Sequence, residues 1–264
     1  MDEEIIMRIP GFIEAEEFYD YTLRRALTNC QASGKEAMFV PEIVDAKIAL
    51  SADNKIWKRW YTTTSIKATG TTKQGNRVVV FAHVPNYLCN PENIKNGAGE
   101  IPQEEFQRLL NLEDKQRVFV IDYNTLKKSK SGIFNIEEAL KHPWIIPSLG
   151  GEGRAKAYLE KYEQVKSKTY MVWHDYNLDE KPTGQFLAVC NYDYTQPHAK
   201  FDQHNFGGRF LGMKFKPSTL ETSISVAIEC LQNHQEQIST EEARKLLNIT
   251  NQVYQTRTYD FRPQ

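Results

Sequence analysis

Between Ala46 and Pro91 the chain sets Lys47, Lys55, Lys58, Arg59, Lys67, Lys73 and Arg77 against a single acid, Asp53. Trp57, Trp60, Tyr61 and Phe81 are threaded among them, with hydroxyls at Thr62, Thr63, Thr64, Ser65, Thr69, Thr71 and Thr72. Cations that neutralise phosphate, flat rings that stack on bases and hydroxyls that reach phosphate oxygens together suit a nucleic-acid strand, DNA or RNA. Trp57, Lys58, Arg59, Trp60, Tyr61, Lys67, Lys73 and Arg77 are therefore the candidate nucleic-acid-binding residues. The plain alternative is a solvated sheet face that uses Lys against edge-to-edge pairing, with the tryptophans in the core.

A second constellation is Asp45 and Lys47, two apart in the apolar run Ile43 to Leu50. On a strand they share one face, where a carboxylate holds Mg²⁺ and an ammonium stabilises charge on a scissile phosphate. The triplet Asp45-Ala46-Lys47 resembles the acid-x-Lys element of the PD-(D/E)xK nuclease superfamily. That resemblance implies Mg-dependent phosphodiester cleavage, with Asp45 as metal ligand and Lys47 orienting the attacking water or stabilising the phosphorane. It covers these three residues only, and the upstream acid has no well-spaced candidate, Glu42 being too close.

A third grouping is late and polar: His174, then His198, Asp202 and His204. Two imidazoles and a carboxylate suit a divalent transition metal. This predicts, as an alternative, a metal-dependent enzyme acting on a small molecule through His174, His198, Asp202 and His204. A further alternative is a non-catalytic interaction or assembly protein whose aromatic, Thr-rich strand pairs with another chain. Ser239 to Val253 resembles the start of a helix-turn-helix, with Gln255 and Arg257 projecting, although Asn248 stands where Gly is usual.

These residues need elements to position them. Residues 14–29 open with acids, close on Arg24 and Arg25 and space Phe18, Tyr21, Leu23 and Leu27 helically, which predicts a helix. From Met38 to Val84 β-branched and aromatic residues predict three strands, the last two joined by a hairpin loop at Lys73 to Asn76. The strand Arg77 to Val84, apolar on both faces, is predicted to be an inner one, its Thr-rich neighbour turning one face outward. Residues 85–100 form a long loop, followed by a helix after Pro102, the strand RVFVID, a short helix opened by Asn135 and Glu138, and a helix after Gly150, Gly151 and Gly153. Strands YMVWHDY, QFLAVCNYDY and RFLGMKF precede a helical segment over 217–264.

The fold class expected is therefore α+β, a mixed and largely antiparallel sheet with flanking helices and a helical C-terminal segment. At 264 residues, with 40% hydrophobic and 25% charged content, the chain suits a single domain, with a possible sub-boundary in the 85–101 loop. Four scattered cysteines without a C-x-x-C pair read as reduced thiols. The acidic start MDEEIIMRIP lacks the basic residues of a secretory signal, and no apolar run approaches the ~20 residues of a membrane span. A cytoplasmic protein without a membrane partner is expected, its formal charge of −1 leaving the rest of the chain acidic relative to the basic stretch.

Overall fold

The structure is a computed structural model that describes residues 6–7, 14–95, 98–172, 182–189, 197–199 and 208–214. The chain divides into two units, Met1–Phe215 and Lys216–Gln264. The helices and turn expected over 217–264 lie outside the described residues.

The first unit begins with β1 (Ile6–Met7), β2 (Glu14–Asp20), α1 (Leu23–Ala32), β3 (Glu36–Ala37), α2 (Val40–Ala49) and the single turn α3 (Lys55–Lys58). Then come β4 (Tyr61–Thr71), β5 (Arg77–Ala82), β6 (Ala98–Glu100), α4 (Gln103–Leu110), β7 (Val118–Asp122) and α5 (Tyr123–Lys128). It continues with β8 (Gly132–Asn135), α6 (Ile136–Lys141), α7 (Ile145–Leu149), α8 (Glu152–Val165) and β9 (Thr169–Val172), and ends with β10 (Thr183–Val189), β11 (Pro197–Ala199) and β12 (Gly208–Lys214). The mixture of helices with antiparallel sheets is the α+β class that the sequence implies.

Two sheets carry the unit. One has the order β1-β2-β12-β3, the other β11-β10-β4-β5-β7 with β6 beside β10, and β8 pairs β9 separately. Every pairing among the described strands is antiparallel. The early strand β2 lies along β12, the last strand of the unit, from Glu14 opposite Lys214 to Asp20 opposite Gly208. β5 is an inner strand, between β4 and β7. Its period of two sends Val79 and Phe81 into one apolar cluster and Val80 and Ala82 into another, so it is buried on both sides. The hairpin between β4 and β5 turns at Gly75, whose φ of 86° is one that glycine adopts without a steric penalty.

Two expected elements differ. The helix expected over 14–29 is split into the strand β2 and the helix α1, where Thr22 is the N-cap and accepts the Arg25 N–H. Pairing with β1 and β12 overrides the helical preference of Glu and Ala in 14–20. The apolar run expected as a strand around Asp45 is instead the helix α2, with Pro41 in its first turn. Its Ile43, Val44 and Ala46 are all buried, and a short apolar run of this kind reads alike as strand or buried helix.

Candidate recognition surface

Several of the basic and aromatic residues of the 46–91 stretch turn inward: Tyr61 and Lys67 because both faces of β4 are covered, Lys47 and Trp57 on the helices α2 and α3. Trp57 is buried and stacks on Tyr158 with ring centroids 5.7 Å apart, and the Lys47 ammonium sits 5.2 Å from the Trp57 ring. Lys67 is 1% exposed, its ammonium 5.7 Å from the ring of buried Trp144. Tyr61 is fully buried, and burial pushes its phenol up to about 12, against a smaller opposing effect of Arg59. The Arg77 guanidinium lies 4.0 Å from the Tyr123 ring. Lys58 and Lys73 are exposed, while Arg59 and Trp60 are half-buried. The exposed cations of the candidate set, Lys58 and Lys73, lie over none of its rings among the described residues.

The hydroxyls of the same strand are used internally. Thr63 donates to the Leu187 carbonyl at 2.8 Å and Thr64 to the Ala37 carbonyl at 3.0 Å, while Ser65 accepts the Val40 N–H at 2.8 Å. These bonds stitch an irregular stretch, where the register of β10 on β4 shifts between Phe186 and Ala188. β4 is also flanked on both sides, by β10 and β5, so the expectation that it adds to another chain, with one face outward, is corrected.

Asp45 and Lys47 do not form a metal-and-ammonium pair. On the helix α2, residues two apart point in different directions. Asp45 faces solvent and is held by Arg154, whose Nε and Nη2 donate at 2.7 and 3.1 Å, while Lys47 is completely buried. His174, Asp202 and His204 lie outside the described residues, as does the side chain of His198, whose backbone pairs with Ala188. Among the described residues no group of three or more His, Cys, Asp or Glu could hold a metal ion.

One pair that resembles a nucleophile and its base went unnoticed in the sequence. His83 Nδ1 is 2.8 Å from the Ser65 hydroxyl, and Nε2 is 2.8 Å from the Pro147 carbonyl. Because a carbonyl can only accept, Nε2 carries the proton and Nδ1 accepts from Ser65. Burial holds this histidine down near 3, so it is neutral, and Arg117 and Arg154 add to the effect. Both residues are wholly buried, so the pair holds the interior of the sheet and has no access to a substrate.

What does reach the surface is a cluster at the junction of the two sheets. Tyr19 faces Arg209 across β2 and β12, and the Arg209 guanidinium lies 4.8 Å from the Tyr19 ring and 5.6 Å from the Trp60 ring. Glu17, nearly buried, fixes the arrangement: it pairs with Arg209, accepts from Arg59 at 2.6 Å and lies 3.3 Å from the Tyr61 hydroxyl. Tyr19 is 45% and Tyr21 79% exposed, and the two rings meet edge to face at 6.0 Å. Arg59, Trp60 and Tyr61 of the expected site therefore do come together, around a carboxylate. Glu17, Tyr19 and Tyr21 were missed because they were read as a helix, whereas Glu17 and Tyr19 are two apart on one face of β2 and Tyr21 follows its end.

The strand register also fixes the two ends of residues 190–207. Val189 pairs with Tyr61, beside Trp60, and Gly208 pairs with Asp20, beside Tyr19 and Tyr21. In sequence this stretch reads CNYDYTQPHAKFDQHNFG. It joins two strands that end at the aromatic cluster.

Two antiparallel sheets, with an early strand lying along the unit's last, define an α+β fold. The comparisons give it a family. The chain is similar to a solved structure described as "Accommodation of massive sequence variation in Nanoarchaeota by the C-type lectin fold", with 42% sequence identity over 81% of this chain and 99% of that one and a TM-score of 0.70. The chain belongs to that C-type-lectin-fold family. No family model and no curated protein matches it.

This kinship, together with the buried lysines, corrects the expectation of a nucleic-acid-binding protein or Mg-dependent nuclease. A divalent ion is loosely compatible with the fold, but the described residues supply no ligand set that fits one. No helix among the described residues is long and apolar enough to cross a membrane.

Proposed function

We propose that this chain is a binding module that recognises a protein partner. Its frame holds a fixed aromatic anchor, Tyr19, Tyr21, Trp60 and Arg209, and the stretch between Val189 and Gly208 supplies the residues that change from one specificity to another. The carrying observation is that stretch's tethering: its flanking strands end at the exposed Tyr19–Tyr21 pair and at Trp60. Tyrosine, tryptophan and arginine offer large contact area at low entropic cost, and they dominate binding energy at protein interfaces. Between the two strands the sequence is rich in Tyr, Asn, Asp, His and Gln, types that adapt their hydrogen bonding to different partners. The relative's described capacity to accommodate massive sequence variation on this fold is the expected behaviour of such a division of labour.

The interior favours the same reading. Glu17 engages two guanidiniums, and Thr63, Thr64 and Ser65 of β4 bond carbonyls and an amide of the frame. The test is a displayed library in which residues 191–196 are randomised and selected against a defined soluble protein such as lysozyme. Binders that lose affinity at least about tenfold on Tyr21→Ala support the proposal, tenfold being the loss of a modest interfacial anchor. Failure to obtain any binder from a library whose members remain folded counts against it. A sugar is the second reading, since exposed tyrosine faces also stack on apolar sugar faces, and saturable binding on a glycan array that Tyr21→Ala removes replaces the protein partner by a carbohydrate.

A further inference from the structure

Two guanidiniums converge on one carboxylate beside the aromatic anchor. Glu17 Oε1 accepts from Nη1 of Arg59 at 2.6 Å and from Nη1 of Arg209, and Oε2 lies 3.3 Å from the Tyr61 hydroxyl, so both oxygens of the acid are engaged. The acid lies deeper than its base: the Glu17 side chain is 7% exposed and that of Arg59 34%. Arg59 has extended backbone, with φ −122° and ψ 151°, which turns it to the same side as Tyr61 and seats it on Glu17. Its Nε and Nη2 have no partner among the described residues. These two nitrogens form the edge of a guanidinium that grips both oxygens of a carboxylate at once.

The neighbouring acids of the frame are engaged elsewhere. Glu16 pairs with Lys35 and Asp20 with Arg25, both acids alternating along β2 to the face opposite Glu17, and Asp53 interacts with Lys58. Exposed Lys55 and Lys58, in the turn before Arg59, add positive charge, while Asp193, Lys200 and Asp202 fall in the stretch that changes with specificity. The complement to this edge is therefore an acid brought by the partner. A bond from a guanidinium to a carboxylate is about twice as strong as one between neutral groups. Because Glu17 already holds Arg59, little side-chain freedom is lost when the second carboxylate docks. We propose that Arg59 recognises an Asp or Glu side chain of the protein partner, beside Trp60 and the tyrosines. The preference for an acidic epitope then belongs to the frame and persists while residues between Val189 and Gly208 vary. This inference rests on the reading of the chain as a protein-binding module.

The test uses full-length binders to lysozyme from the library randomised at 191–196, restricted to clones with no Asp or Glu at those positions. In each clone Arg59→Gln is expected to weaken binding at least about tenfold, the loss of an interfacial arginine anchor. Arg59→Lys keeps the charge but not the two-pronged edge, and is expected to recover only part of that loss. Replacing the acids of lysozyme one at a time by their amides is expected to find one whose loss weakens the unaltered binder at least about tenfold and the Arg59→Gln binder little, as a direct pair requires. Thermal melts check that the variants stay folded, and Arg59→Lys, which keeps a cation on Glu17, carries the same comparison if Gln at this position loosens the fold. Binders that lose affinity on Tyr21→Ala but not on Arg59→Gln overturn the carboxylate pairing and leave the binding module standing. A loss on Arg59→Gln with no lysozyme acid coupled to it overturns the pairing as well, because the effect then lies in the frame. A folded library that yields no binder overturns both readings.

Discussion

The interior face of β4 and the rim of β2 are built from the same kinds of residue, cations beside aromatic rings, and put them to opposite use. In the interior, Lys67 lies against Trp144 and Lys47 against Trp57, every one of them buried. At the rim, Arg209 lies against Tyr19 and Trp60, but Tyr19 and its neighbour Tyr21 stay in solvent. A cation on a ring is worth ~0.5–1 kcal/mol when exposed and ~2 kcal/mol or more when desolvated. The interior pairs therefore serve stability, and the rim pair presents rings to a partner. Residue type does not separate the two regions; what covers each of them does, since Lys47, Lys67, Trp57 and Trp144 are packed over while Tyr19 and Tyr21 are not.

The sharpest way to break that comparison is to cut into the interior. Trp57→Ala removes the ring that stacks on Tyr158 and carries Lys47, and thermal or denaturant unfolding should show a loss of about 4 kcal/mol, the size of a large cavity. Glu42→Leu leaves Arg117, 2.7 Å from that carboxylate and almost buried, without its counter-charge, for an expected loss of about 3 kcal/mol. If either costs as little as a surface substitution, β4 and its covering helices are not the frame.

The next effect is set by pH. His83 titrates near 3 in the folded chain and near ~6.5 when unfolded, so as pH falls the unfolded chain takes the proton first. Its stabilising contribution is complete above the unfolded value and is lost progressively between there and the folded one. Denaturant melts should show about 2 kcal/mol less stability at pH 5 than at pH 7 from this residue. In His83→Gln that difference should shrink by the same amount, and an unchanged slope would mean that the histidine already bears a proton in the fold. Smallest of all, Tyr21→Ala should change stability by no more than about 0.5 kcal/mol, because the ring is mostly in solvent.

Much of the frame was legible in the sequence. The hairpin of β4 and β5 followed from alternating β-branched residues around Gly75, the inner position of β5 from its two apolar faces, and α6 from the Asn135 and Glu138 capping box, in which each side chain bonds the other's backbone. The burial of Lys47 and Lys67 was not legible, because a lysine buried under a tryptophan and one on a solvated face have the same local pattern, and only the covering helices and strands tell them apart. Asp45 and Lys47 were misplaced for a related reason: β-branched Ile43 and Val44 mimic a strand when the helix that holds them is buried nearly all round. The rim cluster was hidden by distance, since Glu17 and Arg209 meet only when β2 and β12 pair across almost the whole unit.

The measurement closest to the central claim is thermal unfolding of a panel of variants in which residues 191–196 are replaced by unrelated polar and aromatic sequences. The expected result is a set of melting temperatures close to that of the unaltered chain, each far above that of Trp57→Ala. Melting temperatures that fall as far as that of Trp57→Ala across the panel would contradict it, because the stretch would then be part of the frame and could not also be free to vary.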